Sequence, residues 1–300
     1  MEFNKSNSPI NQHLIHYKGK SGEFDYDPNI WEISRSDNLI FKNKGVKSLP
    51  ENLELPKGCI KTSYMFSGCI NLADISSLEN WDISSINSLT GMFSSCINLK
   101  DITPLQNWDT SNIKNMIGMF SNCENLIDIT PLQNWNTSNV ESMFDMFYMC
   151  ENLTDITSLQ NWNTSNVRNM SEMFYNCKNL IDISSLGKWN TSKVEYMSVM
   201  FSQCENLIDI SPLQNWDTSN VKNMSRMFEY CTNLIDISQL KNWDISNVKD
   251  MTQMFKNCER LTDVNALQNW DISNVESMSY MFCNCTNLED KPSFYLKFNK

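Results

Sequence analysis

The chain has 300 residues, with 24 Lys+Arg against 35 Asp+Glu and a formal net charge of −11. That charge argues against nucleic acid and anionic membrane surfaces as partners, since both demand a basic face. No stretch approaches the ~18 consecutive apolar residues of a spanning helix, so no membrane insertion is expected.

In chain order, residues 1–20 are rich in Asn, Ser and Lys, hold both histidines (His13 and His16), and read as a mobile tail. The opening M-E-F-N-K-S lacks the basic and apolar regions of a secretory leader, so an intracellular location is expected. From Trp31 through Ile40-Phe41 to Leu49-Pro50 the pattern alternates like short strands, and 21–58 reads as an N-terminal cap. Residues 1–58 hold 8 basic and 8 acidic side chains, so the whole −11 lies in 59–300.

From about residue 59 to 290 the chain repeats. Phe66, Phe93, Phe120, Phe147, Phe174, Phe201, Phe228, Phe255 and Phe282 follow one another at a constant interval of 27. Trp keeps the step from Trp81 to Trp270, Cys from Cys69 to Cys285 and Leu from Leu72 to Leu288. Eight full periods without an insertion mean a solenoid, because each unit is too small to bury its apolar face alone. The repeat also explains 18 Met, 11 Cys and 9 Trp beside 2 His, because most of them are rung positions.

Within the unit around Leu153, L-T-D-I-T carries β-branched residues and is followed in other units by Pro104, Pro131 or Pro212, which reads as a short strand and its stop. Val167, Met170, Met173, Phe174 and Cys177 are spaced like one face of a short helix, with Ser165 at the N-cap. The fold class expected is therefore an α/β repeat solenoid. It would carry a short parallel β-sheet on the concave face and short helices on the other. Residues 291–300 (K-P-S-F-Y-L-K-F-N-K) read as a C-terminal cap or tail.

Trp216-Asp217-Thr218-Ser219-Asn220-Val221, then Met224, Met227-Phe228, Cys231 and Leu234, resembles the leucine-rich-repeat branch of BspA-like bacterial surface proteins. The resemblance covers about 59–290. It implies a leucine-rich-repeat solenoid, display at a surface, and binding or adhesion to other proteins.

One acidic position recurs on every rung: Asp74, Asp101, Asp128, Asp155, Asp182, Asp209, Asp236, Asp263 and Asp290. Carboxylates stacked about 5 Å apart repel by roughly 0.8 kcal/mol in water and about 3 kcal/mol at an effective dielectric of 20. Two readings stand. Each carboxylate accepts from amides or hydroxyls two residues on, as in an Asx turn. Alternatively, the row is an acidic strip for a basic partner or divalent cations. The next-door position runs through Ile127, Ile181, Ile208 and Ile235, an apolar stripe beside the acid. Asp128, Asp155, Asp182, Asp209 and Asp236 with these four isoleucines are the candidate partner-binding residues.

Cys at steps of 27 lacks the close pairing of zinc sites and reads as reduced core thiols. No nucleotide-binding, esterase or metalloprotease string occurs, and a feature repeated nine times is no unique active site. No enzyme, cofactor or metal site is expected. The expected function is a monomeric, non-enzymatic scaffold that binds a protein partner, one with a basic surface fitting best. The alternative is a purely structural or adhesive array.

Overall fold

The structure, a computed structural model, describes residues 14–20 and 22–298. Residues 1–13 of the expected tail, with His13, lie outside the described residues. β1 (Ile15–Gly19) and β2 (Gly22–Tyr26) form an antiparallel hairpin, so strand structure starts inside the stretch read as tail. His16 stands on β1, with Nδ1 2.8 Å from Asp25 Oδ1. β3 (Trp31–Ile33) pairs antiparallel with β4 (Leu39–Phe41). Trp31 and Phe41 are buried, with ring centroids 6.2 and 5.7 Å from Phe66. They cover the open end of the repeat array.

Past the cap the chain stacks rung on rung. The phenylalanines form one column, fully buried, with neighbouring centroids 5.5–5.9 Å apart and nearly parallel planes. Leu, Ile, Met, Trp and Cys columns surround it. Burying each such side chain contributes about 1.5–3 kcal/mol.

Neighbouring rungs are also tied by side chains that donate to backbone carbonyls. Trp162 Nε1 donates to Leu132 O at 3.1 Å, and Cys177 Sγ to Phe147 O at 3.3 Å. Thr164 Oγ1 reaches forward to Asn190 O at 3.0 Å, and Asn166 Nδ2 back to Ser138 O at 2.7 Å. The polar members of the repeat thus satisfy carbonyls that a buried backbone cannot leave unpaired.

The secondary structure within a rung differs from the expectation. L-T-D-I-T is not a strand. Asp155 Oδ1 takes the Thr157 amide at 2.7 Å, turning the chain into a 3-10 helix at Thr157–Asn161. Equivalent 3-10 helices recur from Ser76–Leu78 to Asn265–Leu267. Pro104, Pro131 and Pro212 sit in their first turn, where a missing N–H costs nothing.

The expected helix from Val167 to Cys177 is absent too. Its three-and-four spacing comes from successive turns: Met173 N donates to Met170 O, Cys177 N to Phe174 O, and Leu180 N to Cys177 O. The amides in between leave the rung. Those of Met170, Glu172, Phe174 and Asn176 donate to Tyr196, Ser198, Met200 and Ser202 of the next rung. An α-helix would direct every amide inward to its own chain. Glu172 (φ 60) and Asn176 (φ 58) are left-handed, which forbids one. Ser165 is accordingly no helix N-cap; its amide donates to Asn163 Oδ1 at 3.1 Å.

Parallel pairing occurs in this bridge-and-turn segment instead, as isolated bridges linking Ser88, Asn115, Ser142, Asn169, Tyr196, Asn223, Asp250 and Ser277. Each rung from Phe66 to Phe282 makes two left-handed bends, as at Gly118/Asn122, Asp145/Met149 and Val199/Gln203. A non-glycine residue there costs roughly 1–2 kcal/mol. The rung-to-rung hydrogen bonds, at about 1 kcal/mol each, and the core burial offset it. At the far end α1 (Ser293–Phe298) buries Phe294 and sets Tyr295 edge-on against Phe282 at 5.2 Å.

Candidate functional site

The structure keeps the sequence-derived candidates in one column but not on a strand. Ile127, Ile181 and Ile208 are 51%, 57% and 47% exposed, and Ile235 is half-buried. Asp128, Asp155, Asp182, Asp209 and Asp236 beside them are exposed. The column runs along the entrances of the 3-10 helices, because each Asp closes the turn that starts one. Oδ1 of Asp128, Asp155, Asp182, Asp209 and Asp236 accepts the amide two residues on at 2.7–2.8 Å.

The second oxygen takes a hydroxyl at three of these rungs, from Ser184, Ser211 and Ser238 at 3.1, 2.8 and 2.9 Å. Stabilisation of the charged form by the Ser238 amide, then its hydroxyl and Gln239, holds Asp236 below the usual carboxylate range. The Asx-turn role is therefore realised at every candidate Asp, and the charge still faces solvent.

A second row of the same kind went unread in the sequence. Asp82, Asp109, Asn136, Asn163, Asn190, Asp217, Asp244 and Asp271 each accept the Ser amide two residues on at 3.0–3.1 Å. The signal was present as W-[DN]-x-S in every unit. Asn and Asp are interchangeable at this turn, because both offer Oδ1 in the same place.

The eleven cysteines are free, and ten are buried. Burial pushes the Cys150 thiol up to about 12, against a weak lowering by its backbone contact. A thiol that does not ionise is a poor nucleophile. Iodoacetamide on the native protein is expected to add one group, at the half-buried Cys283, and eleven after unfolding. Intact mass and peptide mapping check it; rapid native labelling of the rung cysteines would contradict the core placement. No group of three or more His, Cys, Asp or Glu among the described residues is placed to hold a metal ion. No helix among them is long and apolar enough to cross a membrane.

A family model described as "Mycoplasma protein of unknown function, DUF285" matches residues 60–182, 150–263 and 207–295. The chain belongs to this DUF285 family. The overlapping matches are those of a repeat, and together they span the array of this DUF285 chain from its first rung to α1. No curated protein matches it. Among solved structures it is similar to "Plant peptide hormone receptor RGFR1 in complex with RGF2", at 12% identity and a TM-score of 0.14. That likeness covers 78% of this chain and 51% of the receptor chain, so the DUF285 chain spans about half the receptor's length.

Proposed function

We propose that the chain is a non-enzymatic scaffold that binds another protein through exposed columns of its solenoid. The Ile127–Ile235 and Asp128–Asp236 column is its first candidate surface. The observation that carries this reading is a stripe of exposed isoleucines beside carboxylates whose charge faces water although their turn-forming bonds are satisfied. An apolar strip rimmed by acid fits a protein partner with a basic rim. The BspA-like resemblance supports the same reading and adds adhesion at a surface to it. A purely structural array gives no reason to leave isoleucine half-exposed on rung after rung.

The test replaces Asp182, Asp209 and Asp236 by Asn and Ile181 and Ile208 by Ser. Asn136, Asn163 and Asn190 close identical turns, so the Asn variants are expected to melt within a few degrees of the parent. A protein that the parent captures from extract of its source and the variant does not, at unchanged melting temperature, supports the proposal. Equal capture by both sinks it for this column.

A further inference from the structure

Tyrosine is not spread over the repeats. Between Cys59 and Cys285 there are six, Tyr64, Tyr148, Tyr175, Tyr196, Tyr230 and Tyr280, and every one falls in the bridge-and-turn segment of its rung. The remainder of the unit, which makes up more than half of its 27 residues, holds none. Tyr196 is a bridge residue, while Tyr64, Tyr230 and Tyr280 occupy left-handed positions. These four are 42%, 49%, 40% and 62% exposed, respectively. Tyr148, Tyr175, Tyr196 and Tyr230 stand on four successive rungs, which span roughly 14 Å at about 4.8 Å per step. Around them stand Ser142, Asn169, Ser198 and Ser225. Tyr with small polar residues is the composition of surfaces that bind proteins at low entropic cost.

The charge of this face indicates the kind of partner. Tyr148 and Tyr175 stack at 4.6 Å with planes 15° apart, and Gln203 Nε2 donates to Tyr175 OH at 2.8 Å. On the same two rungs the left-handed positions hold Asp145 and Glu172. Asp145 Oδ1 is buried and receives no hydrogen bond. Among the described residues no cation pairs with Asp145 or Glu172. Arg168 and Lys178, on the Glu172 rung, are held by Glu195 at 2.9 Å and Glu151 at 3.2 Å. Two rungs on from Glu172 the situation differs: buried Glu229 has Lys256 at 2.9 Å and Arg226 at 3.8 Å. The chain therefore neutralises one acid of this face itself and leaves the other two, which hydrogen-bond to each other, without a cation beside a pair of electron-rich rings.

We infer that the face centred on Asp145, Glu172, Tyr148 and Tyr175 docks a basic segment of a partner protein. An Arg or Lys of that segment supplies the missing countercharge and lies against the stacked rings. A guanidinium satisfies all of these at once, since it donates to carboxylates and stacks on aromatic faces. This surface is separate from the Ile–Asp column, though it rests on reading the chain as a protein-binding scaffold. Burial, with Glu172 beside it, pushes Asp145 up to about 7, and burial raises Glu172 as well. Tyr148 and Tyr175 are the other titratable groups against the pair, and burial pushes the Tyr148 hydroxyl above its usual range. The pair thus gains negative charge as pH rises through neutrality, and capture of a cation strengthens in that direction.

The probe is a fluorescein-labelled peptide of alternating Gly and Arg, followed by anisotropy, with Glu in place of Arg as its control. The Asp145→Asn/Glu172→Gln protein is expected to bind the Arg peptide at least about tenfold more weakly than the parent. Tyr148→Ala/Tyr175→Ala weakens it likewise. Asp109→Asn/Asp244→Asn, which removes the same charge at turns that Asn136, Asn163 and Asn190 close on other rungs, stays within about twofold. The parent's affinity rises from about pH 5.5 to about pH 8. Circular dichroism melts confirm that each variant is folded, and the pH series needs no variant.

The inference is overturned if the two charge-removing pairs weaken binding equally, which is diffuse attraction to a chain of charge −11. It is also overturned if the Glu peptide binds as well, or if the parent binds neither peptide. Loss confined to Asp109→Asn/Asp244→Asn removes this surface and leaves the Ile–Asp column, which neither pair touches, standing.

Discussion

Phe174→Ala is expected to lower stability by about 3–5 kcal/mol. Phe174 is fully buried, with Phe147 at 5.8 Å and Phe201 at 5.7 Å on its two faces. Removing the ring therefore opens a void between two rungs and ends two stacks at once. In a linear array the coupling between neighbours carries the fold, so a central break is felt on both sides. Phe282→Ala is the comparison. One face of Phe282 meets Phe255 at 5.8 Å, and Tyr295 meets it edge-on at 5.2 Å. α1 can settle toward the space left, so the loss is expected at or below the lower end of that range. Urea denaturation measures both. A central loss under about 1 kcal/mol, or a terminal loss equal to the central one, would show that the Phe column is not what couples the rungs.

Much of this architecture is legible in the sequence. The interval of 27 fixes the solenoid, and the columns of Phe, Met, Leu, Trp and Cys name its interior; all prove buried except Leu288 on the last rung, which is half-buried. The local conformation was not legible, for a definite physical reason. Turns that close every three or four residues place apolar side chains at the same spacing as an α-helix does. The positions Val167, Met170, Met173, Phe174 and Cys177 therefore cannot tell the two apart. What separates them is the left-handed bend at residues such as Glu172, Met149 and Val199. Their side chains do not advertise it, and Val is among the least suited to that conformation. The strand misreading has a similar origin. Ile156 looks like a strand residue, but the Asp155 carboxylate captures the Thr157 amide and closes a turn before extension can continue.

The candidate surfaces divide the same way. The Ile–Asp column was visible because it is periodic. The tyrosine face escaped notice because it is aperiodic, with each rung carrying different residues in that segment. Constancy in a repeat marks what holds the rungs together, and all nine positions of the Asp row are alike for that reason. Variation marks what a partner can distinguish. Asp145, Glu172, Val199 and Arg226 occupy one position on four successive rungs and run from acid through apolar to base.

Removing a whole rung is expected to be tolerated far better than removing one residue. Deletion of residues 163–189 joins Trp162 to Asn190 and puts Trp162 where Trp189 stood, with every later side chain in phase. Leu132 O still receives the Trp162 indole, and Cys204 inherits the place of Cys177 against Phe147 O. One of nine rungs is lost, so the urea m-value should fall by about a tenth while the transition stays cooperative.

Deletion of Ser171 alone removes far less chain but shifts the alternation of its segment by one. The amides of Met170 and Glu172 point to the next rung with one residue between them, and Met173 and Phe174 follow into the core. With Ser171 gone, either the donors or the apolar side chains face the wrong way. The loss then includes the buried ring, at about 3–5 kcal/mol, and several ladder bonds at about 1 kcal/mol each. Circular dichroism melts should show the 27-residue deletion close to the parent and the one-residue deletion well below both. The reverse order would mean that the rungs do not depend on strict register and that the constant period has another cause.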